Sequence, residues 1–487
     1  MRFLDNQQRK NIGYDHIIEN INTISKLGDD KRRALSPYTK KEEQKLVDEL
    51  SNTEQMIRFL SEKRQIMDEI TYAMCKVKDI LPTLKKIGTG MILDEIEFFE
   101  IKVFSKTCTD IKQYYSELDH DLHFVEFFDV SEVFSLLDPA NTGYETFYIY
   151  DDFSEELKSL RDRRRTIEQQ IQSEKDLDTK NTLLMDRADI LNEEEKIEYE
   201  IRKSLTIELE KYAADMMHDA DRIGYLDLLI AKSKFFLATG AVKPIIRFDN
   251  EPIVLKEVYN PYYAQVLESK GAQMQRLDLS IRSGVTVLTG ANMGGKSITM
   301  KTVALNVLLA NSGLYVYAKE AQIPVVDFLY MISDDLQSID SGLSTFGAEM
   351  IELKGIIGAS SKKNGLIVLD ELARGTNPDE GRTIVNAVIK LFNQRGSHTF
   401  ISTHFDGVDL TDVTHLQVVG ISHVDFDQLK NLAKKNSKEA LSILQRYMDY
   451  SIEEIGGSDV PRNALQIANL LGLEILDLEG FNKGVDL

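Results

Sequence analysis

Gly290, Ala291, Asn292, Met293, Gly294, Gly295, Lys296 and Ser297 place three glycines, a lysine and a hydroxyl at the spacing that wraps backbone around a polyphosphate. Glycine admits the conformations that turn successive N–H groups toward one anion. A helix starting near Lys296 adds its free N–H groups and its positive dipole end. In that setting Lys296 reaches the β- and γ-phosphates and Ser297 holds Mg²⁺. Further on, the apolar run Leu366 to Leu369 ends in two acids, Asp370 and Glu371. The first suits holding the metal through water, and the second suits orienting and deprotonating an attacking water. A strand ending in two acids is common alone; beside the loop it becomes specific. His404 closes another apolar run, Thr399 to Thr403, and is expected beside the terminal phosphate as a sensor.

These residues need a particular scaffold. Val285, Val287 and Leu288 form a short β-branched run before the loop. Ile298, Val303, Leu305 and Val307 to Leu309 fill a proline-free helix after it. From Pro244 onward, short apolar strands alternate with helices, the pattern of an α/β domain with a largely parallel sheet. Ser344 stands where it can cap a helix running toward Asp370. A serine with free amides at a helix start is also an anion site, and this chain has no second phosphate loop for it to serve. The economical reading is that Ser344 closes over the nucleotide of a second, identical subunit, giving composite sites about a two-fold axis.

The first half reads differently. No proline lies between Pro139 and Pro244, and Tyr144 to Ile223 contains no glycine either. Ile190, Ile197, Ile201, Leu205, Leu209, Tyr212 and Met216 make one stripe of a long helix, and Leu157, Leu160, Ile167 and Ile171 make another. With a turn over Lys175 to Asn181, the spacing predicts an antiparallel arm, each limb on the order of 50 Å if about 35 residues long. Arg161 and Arg163 to Arg165 form its one basic cluster, read as a solvated face offset by neighbouring acids. Phe98, Phe99 and Phe104 are assigned to core.

The chain of 487 residues is long enough for two or three domains, and its 43% apolar fraction is ordinary for a soluble protein. No apolar stretch approaches the roughly 20 residues that span a membrane, and the N-terminus does not read as a secretory signal. Cys75 and Cys108 lie in separate segments, which argues against a disulfide framework and for a cytoplasmic protein. A net charge of −21 offers no general pull toward nucleic acid or anionic membranes.

Four segments together resemble the ATPase motifs of the MutS family: the loop ending at Ser297, Ser344 to Met350 (Ser-Thr-Phe-Gly-Ala-Glu-Met), Leu369 to Thr376 (Leu-Asp-Glu-Leu-Ala-Arg-Gly-Thr), and Ser402 to Phe405 (Ser-Thr-His-Phe). The Asn-Met-Gly-Gly-Lys form is typical of that family rather than of ABC transporters. The resemblance is strong over about 245–475 and architectural over about 90–240. It implies a multidomain fold: a mostly α-helical N-terminal half (core, lever and coiled-coil clamp) followed by an α/β phosphate-loop ATPase domain of ABC/MutS type. Expected boundaries are 1–140 for the helical core, 141–240 for the arm, 241–457 for the ATPase domain and 458–487 for a helical dimerisation segment that includes Val460 to Gly472. Tyr225 to Lys234 resembles the end of the family's lever helix. The resemblance makes Gly290 through Ile298 the nucleotide-binding stretch, Ser297 and Asp370 the Mg²⁺ ligands, Glu371 the base, His404 the sensor and Ser344 the contact in trans.

Departures point to a divergent branch. The mismatch-reading domain has no counterpart, and Ala291, Ile298, Gly347 and Ala373 replace residues more usual in mismatch-repair members. The expectation is therefore a homodimer, or a heterodimer with a related subunit, that hydrolyses ATP to drive a client. Thr146 to Asp151 before the arm, with the overall pattern, is similar to short MutS-like ATPase subunits of lysine aminomutase reactivases, which favours a protein client, one handling adenosylcobalamin. The alternative is a clamp on mismatched or branched DNA.

Overall fold

A computed structural model describes residues 3–119, 122–247, 251–290, 295–333, 345–420 and 448–455. The chain divides into two compact units. One comprises 1–20, 36–51 and 236–487, the other 21–35 and 52–235. These bounds differ from the sequence-based ones, because 1–20 and 36–51 are counted with 236–487. Their partners there are specific: the Gln8 amide donates to Met331 O, and Asn260 donates to Ile12 O. Nothing in the local helical character of such short segments announces which core they join.

Among the described residues, the elements of the second unit are helices. Glu95–Ser116 shows why. Asp94 accepts from the Glu97 N–H while Glu97 returns to Asp94, a reciprocal N-terminal cap. Phe98, Ile101, Phe104, Cys108, Ile111 and Tyr115 then recur at three- and four-residue spacing and are all buried. Each such side chain contributes roughly 1.5–3 kcal/mol when fully removed from water. Met67, Ile70 and Met74 of Arg64–Met74, with Leu205, Leu209, Met216 and Ile223, complete this core.

Two buried ionic groups pin chain segments onto that core. Asp227 is fully buried and accepts from the N–H of Ile24 and from both the N–H and hydroxyl of Ser25. Gly28 lies directly against this carboxylate, where a β-carbon would stand 2.2 Å from Asp227 Oδ2. Lys102, also fully buried, donates to Asp138 Oδ1 at 3.1 Å and to Thr146 O at 3.0 Å. Its ammonium lies over the rings of Phe134 and Tyr150.

The arm is present with altered proportions. Its first helix, Glu155–Ser173, has 19 residues and its second, Leu177–Leu209, has 33, or about 28 and 50 Å. The reversal falls at 174–176, at the start of the expected interval, because Glu174 leaves the helical conformation and Asp176 caps the next helix through the Thr179 N–H. The predicted continuous stripe to Met216 is broken after Leu209; a new helix, Ala213–Thr239, carries Met216. The two limbs run antiparallel, with Arg161 on Glu198, Arg164 on Glu194 and Arg187 on Glu168. No helix among the described residues is long and apolar enough to cross a membrane.

Among the described residues the first unit holds ten strands: β1 (Ile245–Arg247), β2 (Ile253–Val258), β3 (Leu277–Ile281), β4 (Gly284–Thr289), β5 (Glu320–Pro324), β6 (Leu329–Ile332), β7 (Leu366–Leu369), β8 (His398–Ser402), β9 (Thr414–Gly420) and β10 (Asp449–Glu454). A four-stranded mixed sheet runs β1-β5-β2-β3, and a six-stranded sheet runs β10-β9-β4-β8-β7-β6. In the larger sheet β9, β4, β8, β7 and β6 are parallel and β10 is antiparallel. Every residue of β4, β7 and β8 is buried, as expected of central parallel strands covered on both faces. The fold is thus mixed α/β, as read from the sequence.

Removing Asp138 while leaving Lys102 buried should destabilise the helical unit by about 3–5 kcal/mol. Asp138→Ala is expected to unfold at clearly lower urea concentration, and replacing both partners by apolar residues should recover much of the loss. Equal stability of the single and double variants would refute the pin.

Candidate functional site

The strand order assembles the site. β8 lies between β4 and β7, so the loop after β4 and the acids after β7 emerge at the same sheet edge with the end of β8 between them. Ligands of open parallel sheets collect at such carboxyl ends.

At the loop, Gly290 has φ +139°, and a β-carbon there would meet Val418 Cβ at 3.0 Å. Gly295 has φ +80° and starts the helix Lys296–Asn311; its β-carbon would meet the Tyr450 ring at 2.9 Å. Both positions therefore require glycine for conformation and for space. Ala291, Asn292, Met293 and Gly294 lie outside the described residues. Lys296 is buried, and its ammonium donates to Gly290 O at 2.8 Å. Burial pushes this ammonium below its ordinary value, and the carboxylates of Glu371 and Asp370 oppose that shift. Glu371 Oε1 stands 3.9 Å away. Ser297 is exposed on the first turn, and Ile298 is half-buried beside it.

Asp370 follows β7 and donates its N–H to Ile332 O. Its Oδ1 accepts from the Ser402 hydroxyl at 2.6 Å. The same hydroxyl oxygen accepts from the Glu371 N–H at 2.9 Å, so Ser402 clamps both acids. Glu371 has φ +53° and Ala373 φ +64°, left-handed values that cost an L-residue roughly 1–2 kcal/mol. The Glu371 carboxylate also pairs with Arg374 at 3.0 Å, and the Ala373 N–H donates to Glu349 Oε1 at 2.9 Å. A strained turn thus presents Glu371, held by several partners at once.

The structure brings Gly290, Gly295, Lys296, Asp370 and Glu371 to one edge. It does not join His404 to them: His404 lies past the end of β8, exposed, its ring 4.4 Å from that of Phe405. Among the described residues no hydrogen bond or ion pair links His404 to Lys296 or Glu371. Ser344 lies outside the described residues, as does the segment from Val460 to Gly472; the helix Thr345–Ser360 begins immediately after Ser344.

Several contributors were not assigned from sequence. Ser402 carries no signal of its own beyond standing in the Ser-Thr-His-Phe segment. Thr289 Oγ1 meets His415 Nε2 at 2.8 Å beneath the loop, joining β4 to β9. A cavity of about 670 Å³ opens beside Gly295, lined by Leu277, Ile298, Thr299, Met448 and Tyr450 among others. Tyr450 sits on β10, far along the chain, with no spacing rule connecting it to the loop.

The residues present suit a Mg²⁺–triphosphate. Lys296 is a buried cation whose burial disfavours its charge, and Asp370 is a buried carboxylate with Oδ1 fixed by Ser402. Among the described residues no group of three or more His, Cys, Asp or Glu gathers to hold a metal. A metal held by Ser297, Asp370 and water would therefore depend on phosphate oxygens for much of its shell.

Comparison with known proteins agrees in class. Residues 286–470 match the family model of MutS domain V. Among similar proteins, Endonuclease MutS2 of Ligilactobacillus salivarius (strain UCC118) is 32% identical over 206 residues, covering 42% of this chain and 25% of the relative. The DNA mismatch repair protein MutS of Fusobacterium nucleatum subsp. nucleatum is 32% identical over 281 residues, 56% of this chain and 30% of the relative. The corresponding MutS of Caldanaerobacter subterraneus subsp. tengcongensis is 33% identical over 220 residues, 44% and 25% respectively. The matches span about a quarter to three tenths of these curated relatives. Their names lend no support to the reactivase resemblance.

Ser402→Ala removes a donor from Asp370 and an acceptor from the Glu371 N–H. It should cost about 1–3 kcal/mol in urea unfolding. A stability equal to that of the unaltered protein would show that the clamp carries no weight.

Proposed function

We propose that this protein is a dimeric, ATP-hydrolysing conformational switch of MutS type. The observation that carries the proposal is the convergence of Lys296, Asp370 and Glu371 at the carboxyl edge of one parallel sheet. Lys296 binds the β- and γ-phosphates in place of its present Gly290 O and Glu371 partners. Ser297 and Asp370 would hold Mg²⁺, which would supply positive charge to neutralise what develops on the phosphates. Glu371, released from Lys296, orients the attacking water and accepts its proton. The cavity beside Tyr450 is the natural seat for the base, offering an apolar floor and an aromatic ring next to the loop. Ser344 of one subunit closes on the partner's terminal phosphate, and His404 senses that phosphate on closure. Hydrolysis then reopens the dimer, and the arm transmits the change.

Glu371→Gln should bind ATP with near-normal affinity, hydrolyse it at least about a hundredfold more slowly, and accumulate as a closed dimer by light scattering. Normal turnover by this variant would remove Glu371 from its role.

For the client, a protein is the reading we favour. Three of the four arginines in the arm's basic cluster are paired with its own acids. Arg161 pairs with Asp151 and Glu198, Arg164 with Glu194, and Arg165 with Asp151 and Asp162. Those arginines would have to surrender existing partners before neutralising phosphate, and a net charge of −21 opposes the approach. The finer assignment, an ATPase subunit of a reactivase for an adenosylcobalamin-dependent lysine aminomutase, rests on Thr146 to Asp151 and the arm pattern. A DNA client is the second reading, favoured by the names of the MutS relatives. A salt series with homoduplex, mismatched and four-way DNA separates the two. Weak, sequence-indifferent binding is expected, and submicromolar binding that falls steeply with salt would establish the DNA reading.

A further inference from the structure

We infer that Glu349 is a positioning residue for Glu371, acting through the backbone of Ala373; the inference rests on the hydrolytic reading above. Glu371 is presented by a turn whose conformation L-residues disfavour, with left-handed φ at both 371 and 373. Such a turn keeps its shape only when its surroundings hold it. Three contacts do so. The Glu371 N–H donates to Ser402 on β8, Arg374 pairs with Glu371 from within the turn, and the Ala373 N–H donates to Glu349 Oε1.

These contacts differ in what they report. Ser402 belongs to the sheet, and Arg374 travels with the turn. Glu349 comes from the second turn of the helix Thr345–Ser360, an element outside the sheet. Ala373 is fully buried, so its N–H would be left without an acceptor if Glu349 withdrew. The left-handed turn would then lose one of its supports, and the Glu371 carboxylate would no longer be held toward Lys296. The position of this helix is thereby translated into the orientation of the water-activating carboxylate. Glu349 itself need touch neither nucleotide nor water.

The test compares Glu349→Ala, Glu349→Asp and Glu349→Gln in the full chain. Glutamine retains an oxygen at the same reach, whereas aspartate falls a methylene short. We expect kcat for ATP to fall at least about tenfold in the alanine and aspartate variants, with KM within about twofold of the unaltered protein. The glutamine variant should stay within about threefold. Hydrogen exchange of the peptide covering 370–376 should accelerate in the alanine and aspartate variants and not in glutamine, a readout that needs no turnover. Should alanine fail to fold, the aspartate–glutamine pair carries the comparison. Unchanged kcat and exchange in Glu349→Asp, or a glutamine variant as impaired as alanine, would overturn the inference. Absence of turnover in the unaltered protein, with the exchange pattern intact, would instead overturn the hydrolytic reading and leave the link standing.

Discussion

A buried ammonium governs the architecture of the unit that holds the two sheets. Lys296 lies beneath the loop with its charge disfavoured by burial, and it is accommodated by Gly290 O and by the carboxylates beyond β7. A cation in that position requires negative charge around it. The parallel order of β4, β8 and β7 supplies it, bringing Asp370 and Glu371 to the loop's edge although about 75 residues of chain intervene. In the resting arrangement Glu371 serves as counter-charge to Lys296 and Arg374. In the proposed cycle a triphosphate replaces that counter-charge and frees the carboxylate, and charge balance then couples binding to activation.

The same economy appears in the Ser402 clamp. One hydroxyl donates to Asp370 and accepts from the Glu371 N–H. Both acids are therefore fixed relative to β8, the strand that separates them from the loop. The turn beyond them carries strain at 371 and 373, and its retention depends on Ser402, Arg374 and Glu349 acting together. Rigid strands hold Asp370; a strained and adjustable turn holds Glu371. That division suits one residue that must stay in place and another that must respond.

The helical unit uses apolar burial for bulk stability and a few buried ions for register. Apolar faces of helices tolerate sliding, whereas Lys102 with Asp138 and Thr146, or Asp227 with Ile24 and Ser25, permit one alignment. On the arm ion pairs join the two limbs, from Arg164 on the buried Glu194 to the more exposed Arg187 on Glu168, and they engage Arg161 and Arg164 of the basic cluster.

Much of this was legible from residue order. The loop, the buried strands β4, β7 and β8, the two acids, the core role of Phe98 and Phe104 and the paired arm helices all follow from local rules: glycine geometry, apolar runs and helical periodicity. The turn of the arm falls at the start of its expected interval, because the cap at Asp176 depends on one side-chain hydrogen bond that periodicity does not register. What the sequence by itself determined, then, was the chemistry of the nucleotide edge and the helical nature of the first half, since both are set by neighbours along the chain. Only the tertiary structure decided that residues 1–20 join the unit of the two sheets, that Tyr450 walls the cavity beside Gly295, that Ser402 and Glu349 brace the acid turn, and that Arg161, Arg164 and Arg165 are already paired. Each of those facts is a meeting of residues distant in sequence, set by strand order and packing, which no local pattern encodes.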